Sequence, residues 1–304
     1  MTLPTSILAR IEEIRSDNTT GAETLIQKSA NLFLWVADHV QAKDAAEFST
    51  TLHETATKLV SAQPAMVGIF NLVNKILLSS DGVATFKEMR DALIETAVAT
   101  VRSSDESLQA IATTTAELLQ SGQTVATHSF SSTVFHALLE AKKAGRDFTV
   151  LCTESRPMLE GVTLARQLAE AGINVKLTTD AGIFSQLRLA NVVLLGVDSI
   201  GVEGMVGKTG SMAIALASRQ FQIKCYALCS THKFVPPGHK LVADIQGDRQ
   251  EILREQTPNI TPVNSYFDLT PLEYLSGIVT EAGVRSTEAV KKDIRDLKIH
   301  PLLR

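Results

Sequence analysis

The chain has 304 residues, which is enough for two domains and a large buried core. Hydrophobic residues make up 44% of the chain and charged residues 20%, a balance that excludes an intrinsically disordered protein. The formal net charge of -4 and the aromatic content of 5% give no basis for a nucleic-acid binder or a membrane-surface binder. We therefore expect neither nucleic acid nor a membrane among the partners.

The amino-terminal stretch MTLPTSILARIEEIRSD lacks the basic start and apolar core of a signal peptide. No apolar run approaches the ~18 residues of a membrane span, so a cytoplasmic protein is expected. The three cysteines are Cys152, Cys225 and Cys229, a scattered, odd set that makes no disulfide framework. Cys225 and Cys229 lie on one predicted strand, roughly 13 Å apart at ~3.3 Å per residue, which is too far for one metal ion. They are predicted to be buried small side chains.

Residues 1–120 are predicted to form an all-helical domain. Apolar residues recur at spacings of three and four in ILARIEEIRSD, GAETLIQKSANLFLWVADHVQA and DAAEFSTTLHETATKLVSA. The run AMVGIFNLVNKILLSS is apolar on nearly all sides, which is typical of a central helix. The stretch from Asp81 to Gln120 predicts one long or broken helix that starts at Asp81.

Residues 121–304 are predicted to form a doubly wound α/β domain. Short β-branched runs at 124–129, 148–155, 173–180, 191–200 and 224–230 alternate with amphipathic helices, which predicts a parallel sheet. Gly145 and Gly172 stand where helix C-caps are expected. The stretch 259–287 is predicted to add an element to the sheet edge or to form a docking loop.

Polar residues close each predicted strand, at the edge where open α/β sheets bind ligands. The cations near this edge are Arg156 and Lys208, with Lys233 as a third. Cations facing helix N-termini predict an anion site, for which phosphate is the natural ligand. An ion pair of Arg156 with Glu154 or Glu160 is the alternative for this side chain.

The stretch GMVGKTGS superficially resembles a phosphate-cradling P-loop, but two residues separate Gly204 from Gly207 where that motif has four. No GxGxxG follows the first predicted strand and no GxSxG occurs, so a dinucleotide site and a hydrolase nucleophile elbow are not expected. No His, Cys or Glu spacing indicates a metal. We expect no cofactor and no metal ion.

Five stretches resemble, in this order, one known family: THSFSSTV, TESRPMLEGVTLARQLAEAGINVKLTTDAG, GVDSIGVEGMVGKTGS, STHKFVP and YFDLTPLEYLSGIVTEAGV. The family comprises the alpha, beta and delta subunits of translation initiation factor 2B, together with methylthioribose-1-phosphate isomerase and ribose-1,5-bisphosphate isomerase. The resemblance implies a helical N-terminal domain, a Rossmann-like C-terminal domain, and a homodimer formed through the C-terminal domain, with higher oligomers in some members.

The resemblance also implies catalytic positions. The enzymes interconvert aldose and ketose 1-phosphates with a Cys directly after Thr-His and an Asp in a Gly-x-Asp-x-Ile segment. Asp198 matches the Asp, whereas Ser129 stands at the Cys position. A serine hydroxyl is far less acidic than a thiol and needs a strong neighbouring base. His128 is expected on the opposite face of the strand and so does not supply that base.

The phosphate-binding positions of the family are partly kept. The resemblance places Glu154, Arg156, Lys208 and Lys233 at kept positions. An Arg-Gly-Ala segment of the enzymes is matched by Thr20, Gly21 and Ala22, and Gln63 stands where a second Arg is expected. In lacking the thiol the sequence resembles the alpha-type subunit, whereas in retaining Asp198 it resembles the isomerases.

Three hypotheses follow. The first is an initiation-factor-2B-alpha-like regulatory protein that binds a phosphorylated sugar or nucleotide without isomerase chemistry. The second is an aldose–ketose isomerase, an intramolecular oxidoreductase, in which Asp198 transfers the proton and Ser129 polarises the substrate. The third is a structural subunit with an empty cleft. Structural alternatives are a helix N-cap for Ser129 and for Asp180, a turn cap for Asp198, and a core position for His128.

Overall fold

A computed structural model of the chain describes residues 3–17 and 22–304. The chain divides into two compact units. The first, here called the helical unit, covers Met1–Glu106, His232–His239 and Asp296–Arg304. The second, the sheet unit, covers Ser107–Thr231 and Lys240–Arg295.

Within residues 3–17 and 22–118, five α-helices are formed: α1 (Thr5–Ser16), α2 (Ala22–His39), α3 (Ala45–Ala62), α4 (Val67–Ser80) and α5 (Phe86–Leu118). Most residues of α4 are buried, as its apolar composition predicts. The core of the unit includes Phe33, Phe48, Leu52 and Ile76, each at most 1% exposed. Burial of each such side chain contributes roughly 1.5–3 kcal/mol.

The predicted start of the long helix at Asp81 is wrong. The amide of Asp81 donates to the carbonyl of Leu77, so this residue caps the C-terminus of α4. The helix α5 starts instead after Thr85, which forms a capping box with Glu88: each backbone amide donates to the other side chain at 3.2 Å. From Phe86 the helix runs unbroken to Leu118.

The sheet unit contains ten strands: β1 (Thr124–His128), β2 (Thr149–Thr153), β3 (Asn174–Thr178), β4 (Val192–Gly196), β5 (Ser199–Ile200), β6 (Met205–Lys208), β7 (Lys224–Leu228), β8 (Phe267–Thr270), β9 (Gly277–Thr280) and β10 (Gly283–Arg285). Its helices are α6 (Ser132–Lys143), α7 (Glu160–Glu170), α8 (Ile183–Gln186), α9 (Ser211–Gln220) and α10 (Thr287–Arg295). The glycines predicted as C-caps, Gly145 and Gly172, follow α6 and α7 with φ of 79° and 75°.

The main sheet has the order β10-β9-β7-β4-β1-β2-β3, and all neighbours are parallel except β9 and β10. The prediction of a doubly wound parallel sheet after a helical region is confirmed. The chain moves outward from β1 to β2 and β3 and returns to the other side of β1 at β4. The switch point therefore lies between β1 and β4, whose carboxyl ends carry Ser129 and Asp198.

A second sheet with the order β5-β6-β8 is antiparallel. Its central strand β6 contains Gly207 and Lys208, so the glycine-rich stretch is a strand and not a phosphate loop. The predicted edge element of stretch 259–287 is present as β9 and β10, while β8 of the same stretch joins the small sheet. Within the described residues, no helix is long and apolar enough to cross a bilayer.

Candidate functional site

The ring of His128, the last residue of β1, is held on both nitrogen atoms. Its Nε2 lies 2.8 Å from the carbonyl oxygen of Thr209, and its Nδ1 lies 2.6 Å from Thr153 Oγ1. A carbonyl only accepts, so Nε2 carries the proton and Nδ1 accepts from the Thr153 hydroxyl. The side chain is 4% exposed, and burial lowers the pKa of His128, an effect that its hydrogen bond to Thr209 partly opposes.

This tautomer orients a chain of hydroxyl groups that ends at Ser129. The Thr153 hydroxyl donates to His128, so it accepts from Ser155 Oγ at 3.0 Å. Ser155 Oγ in turn accepts from the backbone amide of Ser129 at 2.8 Å. This last bond holds the backbone of Ser129. The hydroxyl groups of Ser155 and Thr153 thereby connect Ser129 to the ring of His128.

Ser129 and Ser155 both have a left-handed backbone with φ of 62°. This conformation costs a non-glycine residue roughly 1–2 kcal/mol and persists only where the surroundings impose it. The interpretation of Ser129 as the N-cap of the following helix is wrong. The cap of α6 is Ser131, which has an extended backbone and accepts from the amide of Val134 at 3.4 Å.

The loop after β2 is braced by Asp180. The carboxylate of Asp180 accepts from the amides of Ser155 at 2.8 Å and Arg156 at 2.7 Å. Asp180 is therefore not a helix cap, since the N-cap position of α8 is Gly182. The half-buried Glu154 is anchored through its amide, which donates to Thr178 at 2.8 Å.

The two predicted cations of the sheet unit lie in one chain of contacts. Lys208 Nζ donates to Glu160 Oε1 at 2.6 Å and lies 5.4 Å from the ring centre of Tyr266. The hydroxyl of Tyr266 donates to the carboxylate of Glu251, and the backbone carbonyl of Glu251 accepts from Arg156 Nη2 at 3.1 Å. The basic partner of Glu160 is thus Lys208 rather than Arg156.

Lys208 and Arg156 differ in exposure. The side chain of Lys208 is 9% exposed, so most of its charge is removed from water, whereas Arg156 is an exposed residue. Glu160 is 32% exposed, and its Oε2 atom is buried with no hydrogen-bond partner in the described part of the chain. A phosphate that reached Lys208 would compete with Glu160 for this ammonium group.

The N-terminus of α9 already has an anionic partner. The carboxylate of Asp268 accepts from the amides of Gly210 at 2.7 Å and Met212 at 3.2 Å. Burial raises the pKa of Asp268, and the two amide hydrogen bonds partly oppose this effect. These two amides of the helix end are therefore bonded within the protein.

The other expected site residues are placed as follows. Asp198 is exposed between β4 and β5, and its amide donates to the carbonyl of Val206 at 2.9 Å. In the helical unit, Ala22 is the first residue of α2 and Lys233 is buried. Asn71 Nδ2 donates to the carbonyls on either side of Lys233, those of His232 and Phe234, at 2.8 Å each.

Gly21, like Thr20, lies outside the described residues. Gln63, which stands where the resemblance predicts a phosphate-binding Arg, has a structural role. Gln63 Nε2 donates to the carbonyl of Ile14 at 2.9 Å and to that of Arg15 at 3.3 Å. Gln63 therefore caps the C-terminus of α1.

Sequence reasoning brought His128, Ser129, Arg156 and Lys208 to one edge and missed the residues that hold them. The sequence indicates Asp180 most simply as a cap with a possible supporting role behind the site, and gives no indication for Glu251, Tyr266 and Asp268. These residues follow no periodic pattern, although Tyr266 and Asp268 fall within YFDLTP, the start of a stretch already singled out. Among residues 3–17 and 22–304, no group of three or more His, Cys, Asp or Glu side chains is arranged to hold a metal ion.

Comparison with known proteins identifies the family of this chain. The model of the Initiation factor 2 subunit family matches residues 18–287. A protein of Pyrococcus horikoshii named as translation initiation factor eIF-2B subunit 2-like is 31% identical over 93% of this chain and 97% of its own length. The ribose 1,5-bisphosphate isomerase of Thermococcus kodakarensis is 26% identical over 93% of this chain and 92% of its own length.

Solved structures agree with this result. The crystal structure of translation initiation factor eIF-2B from Pyrococcus horikoshii superposes with a TM-score of 0.79 at 31% identity, covering 96% of this chain and 100% of that chain. A 5-methylthioribose 1-phosphate isomerase of the same organism has the same fold, with a TM-score of 0.75 at 22% identity over 95% of this chain and 87% of that chain. The resemblance inferred from the sequence motifs is confirmed: the chain belongs to the Initiation factor 2 subunit family.

Proposed function

We propose that this protein binds a phosphorylated sugar or nucleotide at the carboxyl edge of the sheet and acts as a regulatory or assembly subunit without isomerase chemistry. The observation that carries the proposal is the state of His128. Both ring nitrogen atoms are engaged, Nε2 with the Thr209 carbonyl and Nδ1 with the Thr153 hydroxyl. The neighbour of Ser129 in sequence is therefore not available as the base that a serine hydroxyl requires.

Binding of an anion is supported by the arrangement of the two cations. Lys208 is 9% exposed, so its interaction with a bound phosphate is screened by water less than that of a surface lysine. Arg156 is exposed and its guanidinium is held by a neutral carbonyl, which leaves the forked donor geometry suited to phosphate. Loss of one such charged contact costs a few kcal/mol of binding.

The test combines binding with turnover. Thermal unfolding is measured with and without ribose 1,5-bisphosphate, methylthioribose 1-phosphate and nucleoside monophosphates, and the same mixtures are followed by NMR. A ligand at 100 times its Kd stabilises the fold by about 2.7 kcal/mol. We expect stabilisation by at least one compound and no conversion of any. Absence of stabilisation by every compound would favour a structural subunit with an empty cleft.

A matched pair of variants locates the binding site. Lys208→Gln combined with Glu160→Gln replaces the ion pair by neutral groups and should abolish stabilisation by the ligand. Lys224→Gln is the control, because Lys224 is an exposed lysine at the beginning of β7, away from the carboxyl edge. Equal stabilisation of the double variant and the control would show that the ligand binds elsewhere.

The second candidate function is an aldose–ketose isomerase acting on a sugar 1-phosphate. It is favoured by Asp198, an exposed carboxylate next to the switch point, and by the likeness to proteins named ribose 1,5-bisphosphate isomerase. Clear conversion of a sugar 1-phosphate by the wild-type protein, lost in Asp198→Asn, would replace the first proposal. Ser129→Cys should in that case raise the rate, since a thiol exchanges protons near neutral pH more readily than a hydroxyl.

We further propose a cytoplasmic homodimer formed through the sheet unit, similar to the alpha-type subunit and able to associate further. The oligomeric family members among the similar structures, such as the eIF2B beta and delta complex of C. thermophilum, support association in general. Sedimentation velocity of the purified protein tests it, and a monomer at micromolar concentration would contradict it.

A further inference from the structure

The segment from Ile245 to Tyr266, between β7 and β8, has a polar centre of its own. Asn264 is 3% exposed, and its side-chain Nδ2 donates to the carbonyl of Asp248 at 2.8 Å and to Glu251 Oε2 at 2.7 Å. The hydroxyl of Tyr266 lies 2.7 and 2.8 Å from the two carboxylate oxygen atoms of Glu251. Glu251 is therefore the acceptor at the centre of this segment.

The backbone of the segment closes tightly around this centre. The amide of Gly247 donates to the carbonyl of Asn264 at 2.7 Å, and that of Tyr266 donates to the carbonyl of Ile245 at 3.1 Å. A Cβ atom added at Gly247 would lie 2.4 Å from the ring of Tyr266 and 2.5 Å from Asn264 Nδ2. A glycine is therefore required at position 247, where the side chains of Tyr266 and Asn264 pack against its backbone.

Tyr266 and Glu251 each contact one cation of the candidate site. The ring of Tyr266 lies 5.4 Å from Lys208 Nζ, within range of a cation–π contact, and its carbonyl accepts from the amide of Thr209 at 2.9 Å. The carbonyl of Glu251 accepts from Arg156 Nη2 at 3.1 Å. Arg156 thus contacts Glu251 directly, and Lys208 is connected to it through Tyr266.

The carboxylate of Glu251 is bonded to neutral groups rather than to the cations. Its oxygen atoms accept from Asn264 and Tyr266, which are neutral donors, and only its backbone carbonyl contacts Arg156. A carboxylate paired with Arg156 would compete with a bound phosphate, whereas a carbonyl orients the guanidinium without neutralising it. Orientation before binding matters because a long cationic side chain otherwise loses rotamer freedom when the ligand binds.

We propose that Glu251 is a positioning residue that presents Arg156 and Lys208 to the phosphate of the ligand, through its carbonyl and through Tyr266 respectively. This inference rests on the proposed function, since it assigns the residue that sets the affinity of the same site. Glu251 does not contact the ligand itself. Removal of its side chain leaves the carbonyl in the chain but releases it from Asn264 and Tyr266, so binding should weaken while both cations remain.

The tyrosine provides a readout of the contact that does not depend on ligand. The hydrogen bond to Glu251 is the main cause that raises the pKa of Tyr266, and burial adds to it. Replacing Glu251 by Gln keeps the shape and removes the charge, so the pKa of this phenol should fall. Fluorine NMR of protein labelled with fluorotyrosine measures the pKa of Tyr266. The chain has three tyrosines, and single Tyr→Phe variants assign their signals.

Binding is measured by calorimetry with ribose 1,5-bisphosphate as the probe. We expect Glu251→Ala to raise the Kd about tenfold, the size expected when two long cationic side chains must be ordered on binding. Glu251→Gln should lie between Glu251→Ala and wild type. The control is Glu255→Gln, which removes an exposed carboxylate of the same segment and should leave the Kd and the Tyr266 signal unchanged.

A second comparison separates positioning from a general loss of structure. Tyr266→Phe keeps the ring near Lys208 and removes the hydroxyl that binds Glu251, so its effect on the Kd should not add to that of Glu251→Ala. If the wild-type protein binds the probe and the Kd of Glu251→Ala lies within twofold of the wild-type Kd, the inference is overturned. An unchanged pKa of Tyr266 in Glu251→Gln would overturn it as well. Absence of any binding by the wild-type protein would instead overturn the proposed function and the inference together.

Discussion

Replacement of His128 by Leu tests the role of this residue as the polar anchor of the candidate site. The substitution removes the donor to the Thr209 carbonyl and the acceptor of the Thr153 hydroxyl. Thr153 keeps its contact with Ser155, so the carbonyl of Thr209 is the group left without this partner. Thr209 is an exposed residue and this bond is only partly buried, so its loss costs about 0.5–1.5 kcal/mol, and we expect a loss of this size in the free energy of unfolding at pH 8.

The same variant should change the pH dependence of stability. Burial keeps the pKa of His128 below its ordinary value of 6.5, so the unfolded chain binds a proton more readily than the folded one. The contribution of the neutral ring is complete above pH 6.5 and is lost as the pH falls toward the lower folded pKa. The loss is at most about 1.4 kcal/mol per pH unit from this residue. The pKa values of His53 and His239 are also lowered by burial, but both residues remain in the variant.

Urea unfolding followed by circular dichroism at pH 8, 7, 6 and 5 measures both effects. The control is His136→Leu, because His136 is an exposed histidine on α6 whose ring contacts groups of its own helix, the Ser132 carbonyl and the ring of Phe135. We expect a difference between the His128 variant and wild type that is large at pH 8 and shrinks toward pH 5. A His128 variant that is as stable as the control at pH 8, or a difference independent of pH, would refute the assignment of a neutral, doubly bonded ring.

Three further outcomes are expected. Asn71→Leu leaves the carbonyls of His232 and Phe234 without their donor and should cost about 2–4 kcal/mol in urea unfolding, with Asn71→Asp no better because its carboxylate cannot donate. Gly161→Ala should destabilise more than Gly172→Ala in the same assay, since the added Cβ would lie 1.8 Å from the Thr153 carbonyl whereas Gly172 has open space and only its left-handed backbone to strain; equal effects would contradict this. Burial raises the pKa of the Cys152 and Cys225 thiols to about 12, so both should resist a thiol reagent at pH 8 until the fold is denatured, and rapid labelling of the folded protein would contradict it.

Most of the fold that was predictable has a local signal. The alternation of strands and helices after residue 121 and the glycines at Gly145 and Gly172 are encoded within short windows of sequence, because side-chain period and turn chemistry act over a few residues. The start of α5 was missed although a local signal existed, the Thr85 and Glu88 capping box. The strand β6 was missed because the glycines in and around it indicate a loop and only pairing with β5 and β8 makes it extended.

The candidate site divides in the same way. The sequence alone determined that His128, Ser129 and Arg156 lie at one edge, because the carboxyl ends of parallel strands meet there. It also determined that position 129 holds a hydroxyl and not a thiol, since this follows from residue identity alone.

Only the tertiary structure decided how these groups are held. Lys208 is paired with Glu160, 48 positions away, and Arg156 is oriented by Glu251, 95 positions away. The left-handed backbone of Ser129 is fixed by Ser155, which lies on a different strand end. Hydrogen bonds and ion pairs form between whichever groups the fold brings within about 3 Å, and that proximity is set by the packing of the whole sheet unit rather than by any short stretch of it.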